Sequence, residues 1–190
     1  MMTIVFDFDK TLTYTDSLTQ FFKERMRGWR AIWWPYYMCL KVLSKFGAIS
    51  VLREKELAMN ALCPRSYGKM EELFSDFASH IKLSEIDERV NSAIAAGHRV
   101  VVLSASLEIY LRKIYPQCLV IGMQFAVGTR FHVTQHPYGK AKIECLKSYG
   151  IGHVDEFYYD SESDEEVFPI CDRAYKVSNG RIVDEKILKL

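Results

Sequence analysis

Short apolar runs punctuate this chain, separated by longer stretches in which apolar residues return every three or four positions. Thr3–Phe8, Arg99–Leu103, Cys118–Ile121, Glu156–Tyr159 and Arg173–Val177 are too short for buried helices and rich in β-branched or aromatic residues, so each reads as a strand. Val100, Val101 and Val102 are continuous rather than alternating, the pattern of a strand buried on both faces. Between these runs, Ser84–Ala96 ends at Gly97, Ser106–Ile114 stops before Pro116, and Lys140–Tyr149 ends at Gly150, stops that suit helices. Gln124–Thr134 suits a hairpin around Gly128, and Asn179-Gly180 a turn after the last strand. Strand–helix alternation predicts an α/β fold with a doubly wound, Rossmann-like parallel sheet.

One interval breaks the rhythm. Roughly ninety residues separate the first strand from the valine strand, far more than a crossover needs. The stretch is rich in helix formers and in aromatics, among them Phe21, Phe22, Trp29, Trp33, Trp34, Tyr36 and Tyr37. Residues 15–80 are therefore expected to form an inserted helical cap, with 1–14 and 81–190 making the core domain. Within the insert, Pro35 suits a first helical turn. Beyond it Lys41, Ser44 and Lys45 share one face, with Tyr36, Tyr37, Met38, Leu40, Val42 and Leu43 assigned opposite. Such a face can pack inside the insert or lie at a membrane surface.

Composition narrows the class. The length of 190 residues is enough for one core with a small insert. A net charge of +1 gives no reason to expect nucleic acid as a partner. Cys39, Cys63, Cys118, Cys145 and Cys171 are odd in number, widely spaced and without a CxxC pair, so reduced thiols in a cytoplasmic protein are expected. The first apolar run meets Asp7 almost at once, too early for a secretory core. The longest apolar stretch, Ala31–Leu40, contains Pro35, is followed by Lys41, and falls short of the ~18 residues of a membrane span.

The candidate chemistry sits where strands end. Asp7 and Asp9 follow the first strand one residue apart, so on a continued strand both carboxylates would face one side. Two like charges that close need a cation or a shared proton between them. Ser104-Ala105-Ser106 follows the valine strand, and small hydroxylic residues leading into a helix can hold a phosphoryl oxygen. Gly139-Lys140-Ala141-Lys142 opens a helix, and Asp160 and Asp164 follow the Glu156–Tyr159 strand.

Together these residues resemble the four motifs of the haloacid dehalogenase (HAD) superfamily of phosphohydrolases. The first is Asp7-Phe8-Asp9-Lys10-Thr11. The spacing of Gly139, Lys142 and Leu146 is similar to the third motif of the phosphoserine-phosphatase-like group and favours Lys142 over the competing Lys140. Tyr159-Asp160-Ser161-Glu162-Ser163-Asp164 resembles that group's fourth motif, with Tyr159 in place of its first serine. Asp16-Ser17 also fits the group, and the apolar segment of the insert is similar to the phosphatidylglycerophosphatase C type.

The resemblance implies a Mg²⁺-dependent phosphomonoester hydrolase acting on a small or lipid-linked substrate through an aspartyl-phosphate. Asp7 would be the nucleophile and Asp9 the general acid and base. Thr11, Ser104, Ala105 and Lys142 would hold the phosphoryl group, and Asp7, Asp9, Asp160 and Asp164 the metal. Asp16 could approach a substrate amine, and Arg30 or Arg53 a second anionic group. Asp9 argues against a dehalogenase. A receiver-like signalling domain or an inactive binding relative is the non-enzyme alternative, although the long insert and filled motif positions argue against both.

Overall fold

A computed structural model describes residues 1–128 and 130–189. Seven strands form one sheet: β1 (Thr3–Phe6), β2 (Arg99–Leu107), β3 (Leu119–Val127), β4 (Phe131–Gln135), β5 (Val154–Tyr159), β6 (Cys171–Ser178) and β7 (Arg181–Ile187). Their order is β4-β3-β2-β1-β5-β6-β7. β1 pairs in parallel with both β2 and β5, and the β2–β3 and β5–β6 pairs are also parallel. The two edge pairs, β3–β4 and β6–β7, are antiparallel. Winding reverses between β1 and β5, and ligands in such sheets bind beyond the C-terminal strand ends at that point.

The apolar runs explain why the sheet is buried on both sides. Ile4, Phe6, Val100 and Val102 point into one cluster, while Val5, Val101, Leu103, Ile121 and Phe157 point into another. Adjacent residues of one strand thus serve two cores, as period two demands. α5 (Asp87–Ala95) and α6 (Glu108–Ile114) cover the first face, and α7 (Ala141–Ser148) with the 3-10 segment Glu162–Ile170 covers the second.

The excursion after β1 is helical, with α1 (Ser17–Arg25), α2 (Trp34–Lys45), α3 (Val51–Leu62) and α4 (Tyr67–His80). An isolated antiparallel bridge between Thr13 and Leu83 ties its two ends together. Ser84 reinforces that neck, donating its hydroxyl to Thr11 O at 2.6 Å and its N–H to Leu12 O at 2.8 Å. Phe21 packs against Phe74 at 4.8 Å with the rings tilted, and Phe77 meets Tyr110 edge-on at 5.4 Å, so the excursion shares a core with α6.

Several sequence expectations need correction. Arg173–Val177 is not the last strand: the Asn179-Gly180 turn leads into β7, whose side chains are mostly exposed. The sheet is therefore mixed at its edges rather than wholly parallel. The first strand stops at Phe6, not Phe8. β2 runs on through Ser104 to Leu107, so the following helix starts at Glu108 rather than Ser106. The hydrophobic face assigned to α2 divides: Tyr37 and Leu40 are buried, while Tyr36, Met38, Val42 and Leu43 are exposed.

Candidate active site

The site begins where β1 runs out of ladder. Asp7 N–H still donates to Tyr158 O at 2.8 Å, extending the pairing one residue past the strand. The chain then coils tightly over Phe8–Leu12, with Lys10 in the left-handed region at φ 58°. For a residue with a Cβ that conformation costs roughly 1–2 kcal/mol. Local bonds hold it: Lys10 N–H donates to the Thr13 hydroxyl at 3.2 Å, and Thr13 N–H to Phe8 O at 3.1 Å. Because Asp9 lies in this coil, the period-two argument for a shared face does not reach it, and the two carboxylates acquire different partners.

Asp7 faces Lys142. The lysine ammonium donates to Asp7 Oδ1 at 2.7 Å and to Asp164 Oδ1 at 2.5 Å. All three are nearly inaccessible, with exposures of 5% for Asp7, 2% for Lys142 and 3% for Asp164. Lys142 reaches them from the first turn of α7; Lys140 precedes the helix and is exposed. Carboxylate oxygens of Asp7, Asp160 and Asp164 lie within 4.8 Å of one another. Fully ionised, three carboxylates against one ammonium would carry two negative charges in excess. Burial pushes the Asp7 carboxyl well up, Lys142 pulls it down, and the charges of Asp164 and Asp160 push it further up. Burial, then Asp164, raise Asp160 to about 6. Burial opposes the charge on Lys142, but Asp7 and Asp164 outweigh it and raise the ammonium pKa.

A divalent cation would offset this surplus. The donors are all oxygens, the set that suits a hard ion such as Mg²⁺. Another oxygen, the Thr11 hydroxyl, is buried without a hydrogen-bond partner among the described residues. A second acidic group, His153 with Asp155 and Asp172, lies at the opposite strand ends, where Thr3 N–H and Lys189 already engage it.

Asp9 is held by a separate hydroxyl network. Ser17 N–H donates to Oδ1 at 2.8 Å and the Ser106 hydroxyl to Oδ2 at 2.5 Å. Ser17 Oγ lies 3.2 Å from Ser106 Oγ and 2.7 Å from the buried Tyr110 hydroxyl. Burial raises the Asp9 pKa, Asp16 adds to this, and the bonds from Ser106 and Ser17 oppose it. The Ser104 hydroxyl accepts from Ser106 N–H at 3.1 Å within the extended chain. No helix terminus lies at Ser104, so the expected helix N–H groups are not the donors there.

Above this strand end comes a cation from the helical excursion. Lys55 on α3 donates to Ala105 O at 2.8 Å and contacts His136 Nε2 at 3.1 Å. Desolvation lowers the Lys55 pKa, with Asp9 and Asp16 opposing. Burial and the Lys55 charge lower His136 to about 3, so its imidazole stays neutral and accepts from the lysine. Asp16 caps α1, accepting from Thr19 N–H at 2.6 Å, and is exposed. Arg53 pairs with Glu56 at 3.2 Å, and Arg30 lies over the Trp29 ring at 5.3 Å. Neither arginine makes a hydrogen bond to the Asp7 cluster among the described residues.

Sequence reasoning thus missed Ser106, Tyr110, Lys55 and His136 as neighbours of the site. Ser106 and Ser17 were visible inside motif-like stretches but carried no role. Nothing in a lysine on an amphipathic helix announces a contact fifty residues away.

Comparisons with known proteins agree with this arrangement. The family model for haloacid dehalogenase-like hydrolases matches residues 4–167. No curated protein matches the chain. Among solved structures, a protein of unknown function from Bordetella pertussis Tohama I superposes with a TM-score of 0.77 at 18% identity, over 93% of this chain and 90% of that one. A phosphoserine phosphatase holding a phospho-aspartyl intermediate analogue gives 0.62 at 18% identity, over 92% and 85%. Phosphoserine phosphatase from T. onnurineus gives 0.59 at 18% identity, over 98% and 90%. These likenesses establish a shared fold. With the family model spanning all four strand-end sites, the chain belongs to the haloacid dehalogenase-like hydrolases.

Proposed function

We propose that the protein is a Mg²⁺-dependent phosphomonoester hydrolase working through an aspartyl-phosphate on Asp7. The observation that carries this reading is the buried cluster of Asp7, Lys142 and Asp164 beside Asp160, two negative charges in excess when fully ionised, with Asp9 held separately nearby. A phosphatase needs a nucleophile and an acid–base group with different environments, and the two aspartates have them.

In this reading an Asp7 carboxylate oxygen attacks phosphorus, the P–O ester bond breaks, and the leaving oxygen takes a proton from Asp9. Asp9 then accepts a proton from the water that attacks the aspartyl-phosphate. Phosphate departs and Asp7 is regenerated as a carboxylate. The raised Asp9 pKa suits the protonated form that the first step requires. Lys142 orients Asp7 and balances charge on the transferring group. Thr11, Ser104 and the Ala105 backbone would line the phosphoryl position, and Asp16 would approach a substrate amine. Asp7, the Asp9 carbonyl and Asp160 would hold the metal, supported by Asp164. Bound Mg²⁺ would supply positive charge that lets an anionic phosphate approach an anionic nucleophile.

The helical excursion then acts as a cap, and it brings Lys55 to Ala105 at the strand end. We place the protein in the cytoplasm; none of its helices is long and apolar enough to cross a membrane among the described residues. The exposed aromatic surface of the excursion keeps a lipid-linked phosphomonoester beside small soluble ones as substrate.

Release of phosphate from p-nitrophenyl phosphate tests the reading. It should require Mg²⁺, stop in excess EDTA, and be inhibited by Ca²⁺, whose looser coordination misplaces the nucleophile. Asp7→Asn should lower turnover by roughly 10⁴-fold or more while the fold persists. Full activity after metal stripping would refute it.

A further inference from the structure

An apolar, basic surface covers the outer side of the helical excursion. Trp29, Ile32 and Phe46 are 75%, 71% and 80% exposed. Met38, Val42 and Phe46 lie four residues apart along α2 and its last turn, and all three face outward. The helix is anchored from beneath: Tyr37 and Leu40 are buried, and Tyr37 meets Phe22 at 5.4 Å. The outward stripe is therefore surplus to packing. Isolated exposed apolar residues need no explanation, but a row of them along one helix face does.

Charge is distributed just as unevenly. Residues 25–53 contain Arg25, Arg27, Arg30, Lys41, Lys45 and Arg53 and not one Asp or Glu, although the whole chain is only +1. Lys41 is matched by Glu54 from α3, and Arg53 by Glu56 three residues on in the same helix. Arg27, Arg30 and Lys45 have no carboxylate partner among the described residues. Beside Arg30 opens a groove of about 710 Å³, walled by Trp29, Trp33 and Leu73, where Arg25, Arg30 and Lys69 face a single carboxylate, Glu72.

We propose that this surface docks the protein onto an anionic membrane, with the aromatic side chains in the interface and the unpaired cations among lipid headgroups. Tryptophan flanked by Arg and Lys is the composition that settles at the boundary between headgroups and acyl chains. A second copy of this chain is a poor occupant, because a self-complementary contact would set like charges against each other. α2 packs on α3, which reaches the strand-end site through Lys55, so the docked face lies one helix from that site. Docking stands apart from the phosphatase reading. Its extension, that the substrate is a phosphomonoester presented by the bilayer, rests on that reading.

Co-sedimentation of the full chain with vesicles tests it. The protein should pellet with equal parts phosphatidylcholine and phosphatidylglycerol, with a blue-shifted tryptophan emission, and should not pellet with phosphatidylcholine alone. The triple variant Trp29→Ser, Ile32→Ser, Phe46→Ser should lose about tenfold or more in partitioning. It should still hydrolyse p-nitrophenyl phosphate at the wild-type rate. Arg27→Gln with Lys45→Gln should also lose about tenfold. Asp7→Asn should bind vesicles as the wild type does, which separates docking from catalysis. Any of these results would overturn the proposal: no binding to either vesicle, binding by the triple variant equal to wild type, or retention by an acidic polypeptide without vesicle binding. A dimer dissolved by the triple variant would do so too, by assigning the face to self-contact.

Discussion

At the scale of single residues, the site is a problem in charge. Lys142 is the only ammonium bonded to Asp7 and Asp164 among the described residues, and all three are buried. Removing one partner from such a cluster leaves charge without compensation, at a cost of about 3–5 kcal/mol. Lys142→Met should therefore lower the melting temperature of the metal-free protein sharply, and added Mg²⁺ should recover part of the loss. Asp160→Ala should leave the fold intact but raise the Mg²⁺ concentration needed for half-maximal activity. Residues that only support a metal ligand are worth about tenfold or more, so a direct ligand should exceed that. Metal titrations of activity in the two proteins make the comparison.

His136 gives a prediction in pH. Its pKa falls from an ordinary 6.5 to about 3 in the fold, because burial and Lys55 both oppose protonation. The unfolded chain binds a proton there that the folded chain does not. Its contribution to stability is thus complete above about pH 6.5 and is lost progressively as pH falls toward about 3. His136→Gln should flatten that acid limb in urea titrations. An unchanged limb would place the acid sensitivity elsewhere.

Among the elements, α6 and β3 show how closely the sheet and its helices approach. A Cβ on Gly122 would lie 2.7 Å from Glu108 Cα, a distance no real Cβ tolerates. Gly122 N–H also donates to Glu108 Oε2 at 3.1 Å, and Glu108 is held in turn by Arg112 and Gln124. Gly122→Ala should destabilise by about 1–3 kcal/mol through overpacking, measurable by denaturant unfolding.

The elements also show what a sequence can and cannot carry. The core strands were legible because strands buried on both faces leave unbroken runs such as Val100–Leu103. β7 was not, because an edge strand with four charged residues in seven and mostly exposed side chains, as in Arg181–Ile187, leaves no hydrophobic run. β2 was cut short for a related reason: Ser104-Ala105-Ser106 stays extended to serve the site, against its weak strand propensity. Asp7, Lys142, Asp160 and Asp164 could be named because each follows a strand or opens a helix at a recognisable spacing. The approach of Lys55, with His136, to Ala105, and the Asp9–Ser106–Tyr110 network, depend on side chains meeting across distant segments.

For the whole molecule, the reversal of winding between β1 and β5 puts Asp7 and Asp160 at neighbouring strand ends, and the helical excursion brings Lys55 to the same place. A ligand bound only by the folded chain should stabilise all of it. Mg²⁺ at one hundred times its dissociation constant should add about 2.7 kcal/mol. Asp160→Ala should remove most of that increment. The most direct measurement is capture of the covalent intermediate. The protein is mixed with a radiolabelled phosphomonoester and Mg²⁺, quenched in acid, and its peptides are mapped. Label is expected on the peptide carrying Asp7 and none in Asp7→Asn; steady turnover with no label on Asp7, or undiminished turnover by Asp7→Asn, would contradict a covalent mechanism through Asp7.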